Sequence, residues 1–194
     1  MRLFVAADVS TETRGQVRAI REQLIPILEA SRRAPRVTWV HEEGAHVTLR
    51  FIGEVTDERA DRIQAALTSA VAQRPFEIRW DRLGTFPGGA APRVIWLGGS
   101  NGGDRLAELA QHVEFRLTPV IGTGEVRPFK GHLTIGRVRE PGRLVWADAL
   151  ARVDLEPTVT RIDHITLYRS QLSPKGPTYT EVLRTVLKQS ARKS

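Results

Sequence analysis

Two tetrapeptides carry the residue types of an acid–base site: His46-Val47-Thr48-Leu49 and His132-Leu133-Thr134-Ile135. In a strand, residues two apart share a face. His46 and Thr48 therefore project together, as do His132 and Thr134, while the apolar residues between them turn to a core. The motifs lie close to half the chain apart, one in each half. Strands related by a pseudo-two-fold axis would bring the four polar side chains to one cleft. Two imidazoles suit the hydrolysis of a cyclic phosphodiester, which needs a base to activate water and an acid to protonate the leaving alkoxide. Histidine can do either near neutral pH. Threonine hydroxyls can donate to the non-bridging phosphate oxygens as charge builds there. No metal or cofactor is required by this design.

A third copy, His164-Ile165-Thr166-Leu167, has the same bare pattern. It breaks the half-chain spacing, so His164 reads as a residue of a flanking strand. His41, before the first motif, and His112, in a helical segment, read as surface or supporting residues.

The elements that must position the motifs follow from local pattern. Residues 2–9 read as a strand, and Ser10 as the N-cap of a helix with Val17, Ile20, Leu24, Ile27 and Leu28 at helical spacing. Pro26 is expected to end or kink that helix. Short strands are expected over 37–40, 46–55, 76–83 and 94–97. A second helix begins at Thr56-Asp57, with Ala60, Ile63, Ala66, Leu67, Ala70 and Val71 on one face. Residues 87–92 and 98–103 read as loops from their Gly, Pro, Ser and Asn content. Asp104 reads as the cap of a third helix, with Leu106, Leu109, Ala110, Val113 and Leu117 inward. A strand over 129–138, a short helix over 144–153, and strands over 159–169 and 179–187 complete the pattern. A turn over 173–177 precedes the last strand. Interspersed strands and helices give an α+β class.

Composition narrows the field. The 194 residues are 41% hydrophobic and 26% charged, which is ordinary for a globular chain and enough for a real core. We read them as a single domain of two lobes, 1–194. No apolar run approaches the ~20 residues of a membrane span, so a membrane role is not expected. The absence of cysteine excludes disulfides, thiolate zinc sites and cysteine nucleophiles, and fits a cytoplasmic protein. The net charge is +7, and lysine fills only four positions (Lys130, Lys175, Lys188 and Lys193) of the 29 basic residues. Arginine forks suit phosphate oxygens and a basic surface attracts nucleic acid.

On these motifs and the blocks around them, the chain resembles the 2H phosphoesterases. The closer likeness is to their bacterial and archaeal RNA 2',3'-cyclic phosphodiesterase branch, also called 2'-5' RNA ligases. Residues 1–8 resemble the family's opening strand, and 39–54 (WVHEEGAHVTLRFIGE) the block around the first motif. Phe86-Pro87 and 92–98 resemble its central hairpin, 129–137 (FKGHLTIGR) the second block, and 167–170 with Gly176 and Tyr179 the C-terminal hairpin. Lys130-Gly131 stands where the family often has a proline, and His164 is an added histidine. The resemblance implies a bilobal fold: two antiparallel sheets related by a pseudo-two-fold axis, helices outside, and a cleft between. It implies hydrolysis of RNA 2',3'-cyclic phosphate ends to 2'-phosphomonoesters, with His46 as proton donor, His132 as proton acceptor and O3' leaving. It also implies a reverse reaction that joins a cyclic phosphate end to a 5'-hydroxyl in a 2'-5' linkage.

Further candidates are Arg137 to hold a phosphate, Phe129 and Tyr168 to stack on a base, and Arg93 and Lys130 on the cleft rim. Core packing competes for Phe129. The expected partner is RNA bearing a cyclic phosphate end, and a monomer is expected. Three other readings remain open at this level. One is a 2H enzyme for a small cyclic nucleotide or ADP-ribose 1'',2''-cyclic phosphate. Another is a non-catalytic RNA-end binding module. The last is a metal hydrolase, for which Glu42, Glu43 and Glu54 are the nearby carboxylates.

Overall fold

The structure, a computed structural model, describes residues 1–124, 128–173 and 176–188. Its first half contains β1 (Arg2–Asp8), α1 (Thr11–Glu29), β2 (Arg36–Trp39), β3 (His46–Glu54), α2 (Asp57–Leu67), β4 (Val71–Ala72) and β5 (Phe76–Phe86). β6 (Val94–Asn101), α3 (Gly103–Ile121), β7 (Leu133–Glu140), α4 (Trp146–Ala151), β8 (Thr158–Ile162), β9 (His164–Ser173) and β10 (Gly176–Lys188) follow. A 3-10 turn at Glu42–Gly44 joins β2 to β3.

The strands form two five-stranded sheets, ordered β3-β1-β9-β10-β4 and β2-β7-β6-β5-β8. Among the described residues every pairing is antiparallel except β10 with β4. Laying β3-β1-β9-β10 over β7-β6-β5-β8 puts the two motif strands in equivalent places. β4 and β2 are then additions at opposite ends.

The two sheets are locked by exchanged helices. α1 leaves β1 of the first sheet and packs on β8 of the second; α3 leaves β6 of the second sheet and packs on β3 of the first. Ser10 caps α1 by accepting from the Thr13 N–H at 3.3 Å. The Thr13 hydroxyl lies 2.9 Å from those of Thr158 and Thr160 on β8, and Gln16 Nε2 donates to the Trp80 carbonyl at 3.0 Å. Val17, Ile20, Leu24 and Leu28 of α1 and Leu106, Leu109, Val113 and Leu117 of α3 are buried in one contiguous core. Each such side chain contributes about 1.5–3 kcal/mol. No helix among the described residues is long and apolar enough to cross a membrane.

Several boundaries differ from the sequence pattern. α1 continues past Pro26 to Glu29; the proline is exposed, and its missing N–H leaves the Glu22 carbonyl without its helical partner. α2 stops at Leu67, and Val71 begins β4 instead. Gly98 to Asn101 extend β6 rather than forming a loop, and Gly102, at φ 83°, caps α3 in place of Asp104. Glycine is required in this run for close approach: a Cβ on Gly99 would meet the Arg79 carbonyl oxygen at 2.7 Å. β7 begins at Leu133, so His132 stands at its mouth and Phe129 precedes it. The single strand expected over 159–169 is two strands in different sheets, with the chain crossing at Asp163. Pro174 and Lys175 of the expected turn lie outside the described residues.

The Trp96 ring lies across Gly84 and Gly98, and a Cβ at Gly84 would collide with it. Gly84→Ala is therefore expected to destabilise by about 1–3 kcal/mol. Gly88→Ala, with nothing within 4 Å of the new atom, should leave the thermal midpoint unchanged.

Candidate active site

The two motif strands meet where the sheets join. β2 runs antiparallel to β7 through Thr38–Arg137 and Trp39–Gly136 pairs, and the Val40 N–H then donates to the Ile135 carbonyl at 2.9 Å. Leaving Val40, the chain heads toward the start of β7, where His132 sits. It turns at Glu42–Gly44 and enters β3 at His46, and β3 and β7 touch.

Both histidines are held alike. His46 Nδ1 lies 2.7 Å from the Gly44 carbonyl, and His132 Nδ1 lies 2.6 Å from the Lys130 carbonyl, each two residues upstream. A carbonyl only accepts, so Nδ1 carries the hydrogen and Nε2 is left to give or take a proton. Each ring also has an edge-on aromatic neighbour: Tyr179 at 5.2 Å from His46, and Phe86 at 5.3 Å from His132. Among the described residues, neither Nε2 nor the Thr48 and Thr134 hydroxyls hydrogen-bond within the protein.

The third copy of the motif is spent. His164 Nδ1 lies 2.6 Å from Asp163 and its Nε2 3.0 Å from Asp8, while the Thr166 hydroxyl donates to Asp8 at 2.7 Å. Tyr168 completes this cluster, donating to Asp8 at 2.6 Å. The flanking-strand reading of His164 holds, and its side chain is fully engaged besides.

Asp8 pairs directly with His46 across β1 and β3. Burial alone would raise its carboxyl. The bonds from His164, Tyr168 and Thr166 outweigh that and hold it well below the usual carboxylate range. Burial pushes His46 below the usual histidine range; the Gly44 bond and the Asp8 charge oppose that fall, and Arg137 and Arg14 add to it. Arg137 stands on β7, so its charge reaches His46 from the second sheet. His164 is raised, first by its bond to Asp8, against burial, with Asp163 adding to the rise.

The remaining sequence candidates sort by position. Arg137, Arg93 and Lys130 are exposed, and Lys130 Nζ sits 5.6 Å over the Phe86 ring. Phe129 packs against the core, the competing role expected for it. Tyr168 stacks on Phe4 at 5.4 Å, and Phe4 lies 4.8 Å from the His46 ring. Sequence reading missed Asp8, Phe4 and Trp96. Alternation along β1 puts Phe4, Ala6 and Asp8 on one face, but nothing local says that face meets His46. Among the described residues one metal-competent cluster forms, His41, Glu42 and Glu43, within 4.8 Å of one another. Glu42 is already paired with Arg21 at 2.9 Å.

Two matched half-sheets, each presenting one free histidine and one free threonine, define the two-histidine phosphoesterase class of fold. Residues 9–174 match the 2'-5' RNA ligase superfamily, and the chain belongs to that family. It is 37% identical over 183 residues to an RNA 2',3'-cyclic phosphodiesterase of Archaeoglobus fulgidus, covering 94% of this chain and 98% of that one. To the Thermotoga maritima protein of the same name it is 35% identical, covering 92% and 91%. TT0787 of Thermus thermophilus superposes with a TM-score of 0.77 at 25% identity, over 98% of this chain and all of that one. E. coli LigT complexed with 3'-AMP superposes at 0.72 with 26% identity, over 97% and 98%.

The Asp8–His164 pair makes stability depend on pH. Because the folded state raises His164, its contribution is complete below the unfolded histidine pKa of about 6.5 and is lost as pH rises through the folded value. The parent should lose more thermal stability than His164→Gln between about pH 6 and pH 9. Parallel melting curves across that window would count against the pair.

Proposed function

We propose that this chain is an RNA 2',3'-cyclic phosphodiesterase that yields a 2'-phosphomonoester and a free 3'-hydroxyl. The observation that carries the reading is the difference among the three motif copies. Two leave Nε2 and a threonine hydroxyl free on equivalent strands, and one does not. The two lobes work as one catalytic unit.

The step is an in-line displacement. His132 Nε2 takes a proton from water as its oxygen bonds to phosphorus. The P–O3' bond breaks, and His46 gives its Nε2 proton to O3'. Thr48 and Thr134 donate to the non-bridging oxygens, where charge grows, and Arg137 balances the phosphate charge. Proton exchange with water resets the pair. The roles of donor and acceptor follow the family pattern. With a 5'-hydroxyl in place of water as the nucleophile, the same displacement of O3' would form a 2'-5' linkage.

An oligonucleotide ending in a 2',3'-cyclic phosphate tests the reading. His46→Ala and His132→Ala should each reduce kcat by about 10²–10⁴, and Thr48→Ala or Thr134→Ala by at most about 10²–10³. Turnover should persist in excess EDTA, and the product should be a 2'-phosphate. Loss of activity on chelation would favour the metal-hydrolase reading, and a 3'-phosphate would reverse the leaving group.

A further inference from the structure

A β-bulge delivers an aromatic ring to the cleft face. Along β1 and β3, Thr48 pairs with Ala6 but Arg50 pairs with Val5, so Leu49 is the extra residue. Without the bulge, Arg50 would share the face of His46 and Thr48. With it, Arg50 turns to α3 and pairs with Glu114 at 2.9 Å, and Phe51 lands opposite Phe4, the ring beside His46. Phe51 remains 53% exposed, and the Arg2 guanidinium sits 5.0 Å from its centroid. Phe51 is thus one cross-strand step, about 5 Å, beyond the ring that touches His46.

We propose that Phe51 and Arg2 form a subsite for the nucleotide adjoining the cyclic phosphate end, with its base stacked on Phe51 and its phosphodiester met by Arg2. This rests on the RNA reading above and explains why a chain, rather than a mononucleotide, would be the better substrate. Base stacking is sequence-tolerant, so the subsite selects RNA length and not base identity. The test compares kcat/KM on a trinucleotide ending in a 2',3'-cyclic phosphate with that on 2',3'-cyclic AMP. Phe51→Ala should lower the trinucleotide-to-mononucleotide ratio about five- to hundredfold, and Phe51→Trp should restore it. An unchanged ratio in an active Phe51→Ala variant overturns the subsite. A parent that turns over neither substrate overturns the RNA reading instead.

Asp8 ends β1 opposite His46, and its carboxylate takes hydrogen bonds from three side chains of β9, those of His164, Thr166 and Tyr168. We infer that the third His-x-Thr motif is a clamp that fixes Asp8 as an anion opposite His46, making Asp8 a positioning residue for the proton that His46 carries. The groups that bear on His46 come from every side. Asp8 on β1 and the Gly44 carbonyl hold the proton; Arg14 on α1 and Arg137 on β7 oppose it; Phe4, Tyr168 and Tyr179 exclude water. Arg184 on β10 also bears on Asp8 but is paired with Glu181 at 2.7 Å.

Two variants test the clamp, read by NMR titration of the His46 ring in the full chain. Asp8→Asn removes the negative charge and should move the titration to lower pH, with kcat/KM at neutral pH falling on the order of tenfold. His164→Gln loosens the clamp on Asp8 and should move it in the same direction by a smaller amount. A shift to higher pH in His164→Gln, or none in the folded Asp8→Asn variant, overturns the inference. The NMR readout does not depend on His46 being the acid, so this inference and the catalytic assignment fail separately.

Discussion

The cleft depends on one packing constraint: each sheet is covered by a helix that grows from the other half. α1 is bound to β8 and β5 through Thr13 and Gln16, and α3 is bound to β3 through the Arg50–Glu114 pair. Neither sheet can bury its apolar face without the opposite half of the chain. The two motif strands therefore share one rigid frame, because sliding one sheet would open the common core. Close-packed interiors resist such shifts. That frame holds two imidazoles in a fixed relation although the residues between them are far apart in sequence.

Within that frame the backbone does the work of orienting the histidines. The carbonyls of Gly44 and Lys130 fix the tautomer on each ring, so no acidic side chain is needed behind either imidazole. The acidic group near the site, Asp8, lies beside His46 rather than behind it, and three donors from β9 hold it. The two halves are thus alike in geometry and unlike in electrostatics. His46 sits among Phe4, Tyr168, Tyr179 and an anion, whereas His132 lies in a more exposed setting beside Phe86.

The β3 bulge shows the same economy. One extra residue reverses the alternation after the first motif, sending a cation to the helix side and an aromatic to the cleft side. It lets a single strand carry the first His-x-Thr motif, a core contact and an exposed ring in nine residues.

The sequence by itself determined the α+β class, most elements, the inward faces of α1 and α3, and the two motifs. These depend on local signals: period-2 and helical periodicity, the Ser10 cap, and turn residues. Half-chain spacing also favoured His46 and His132 over His164, correctly anticipating a flanking place for the third copy. The tertiary structure alone decided the rest. The glycine run after Leu97 reads locally as a loop, yet it is a strand because Trp96 and the Arg79 backbone approach it closely. Residues 159–169 read as one strand, yet a sheet change at Asp163 splits them, and no local pattern encodes which sheet a strand joins. The engagement of His164 and the charge beside His46 both require Asp8 and β9 to be neighbours. Those residues are more than 150 positions apart, and only long-range pairing brings them within hydrogen-bonding distance.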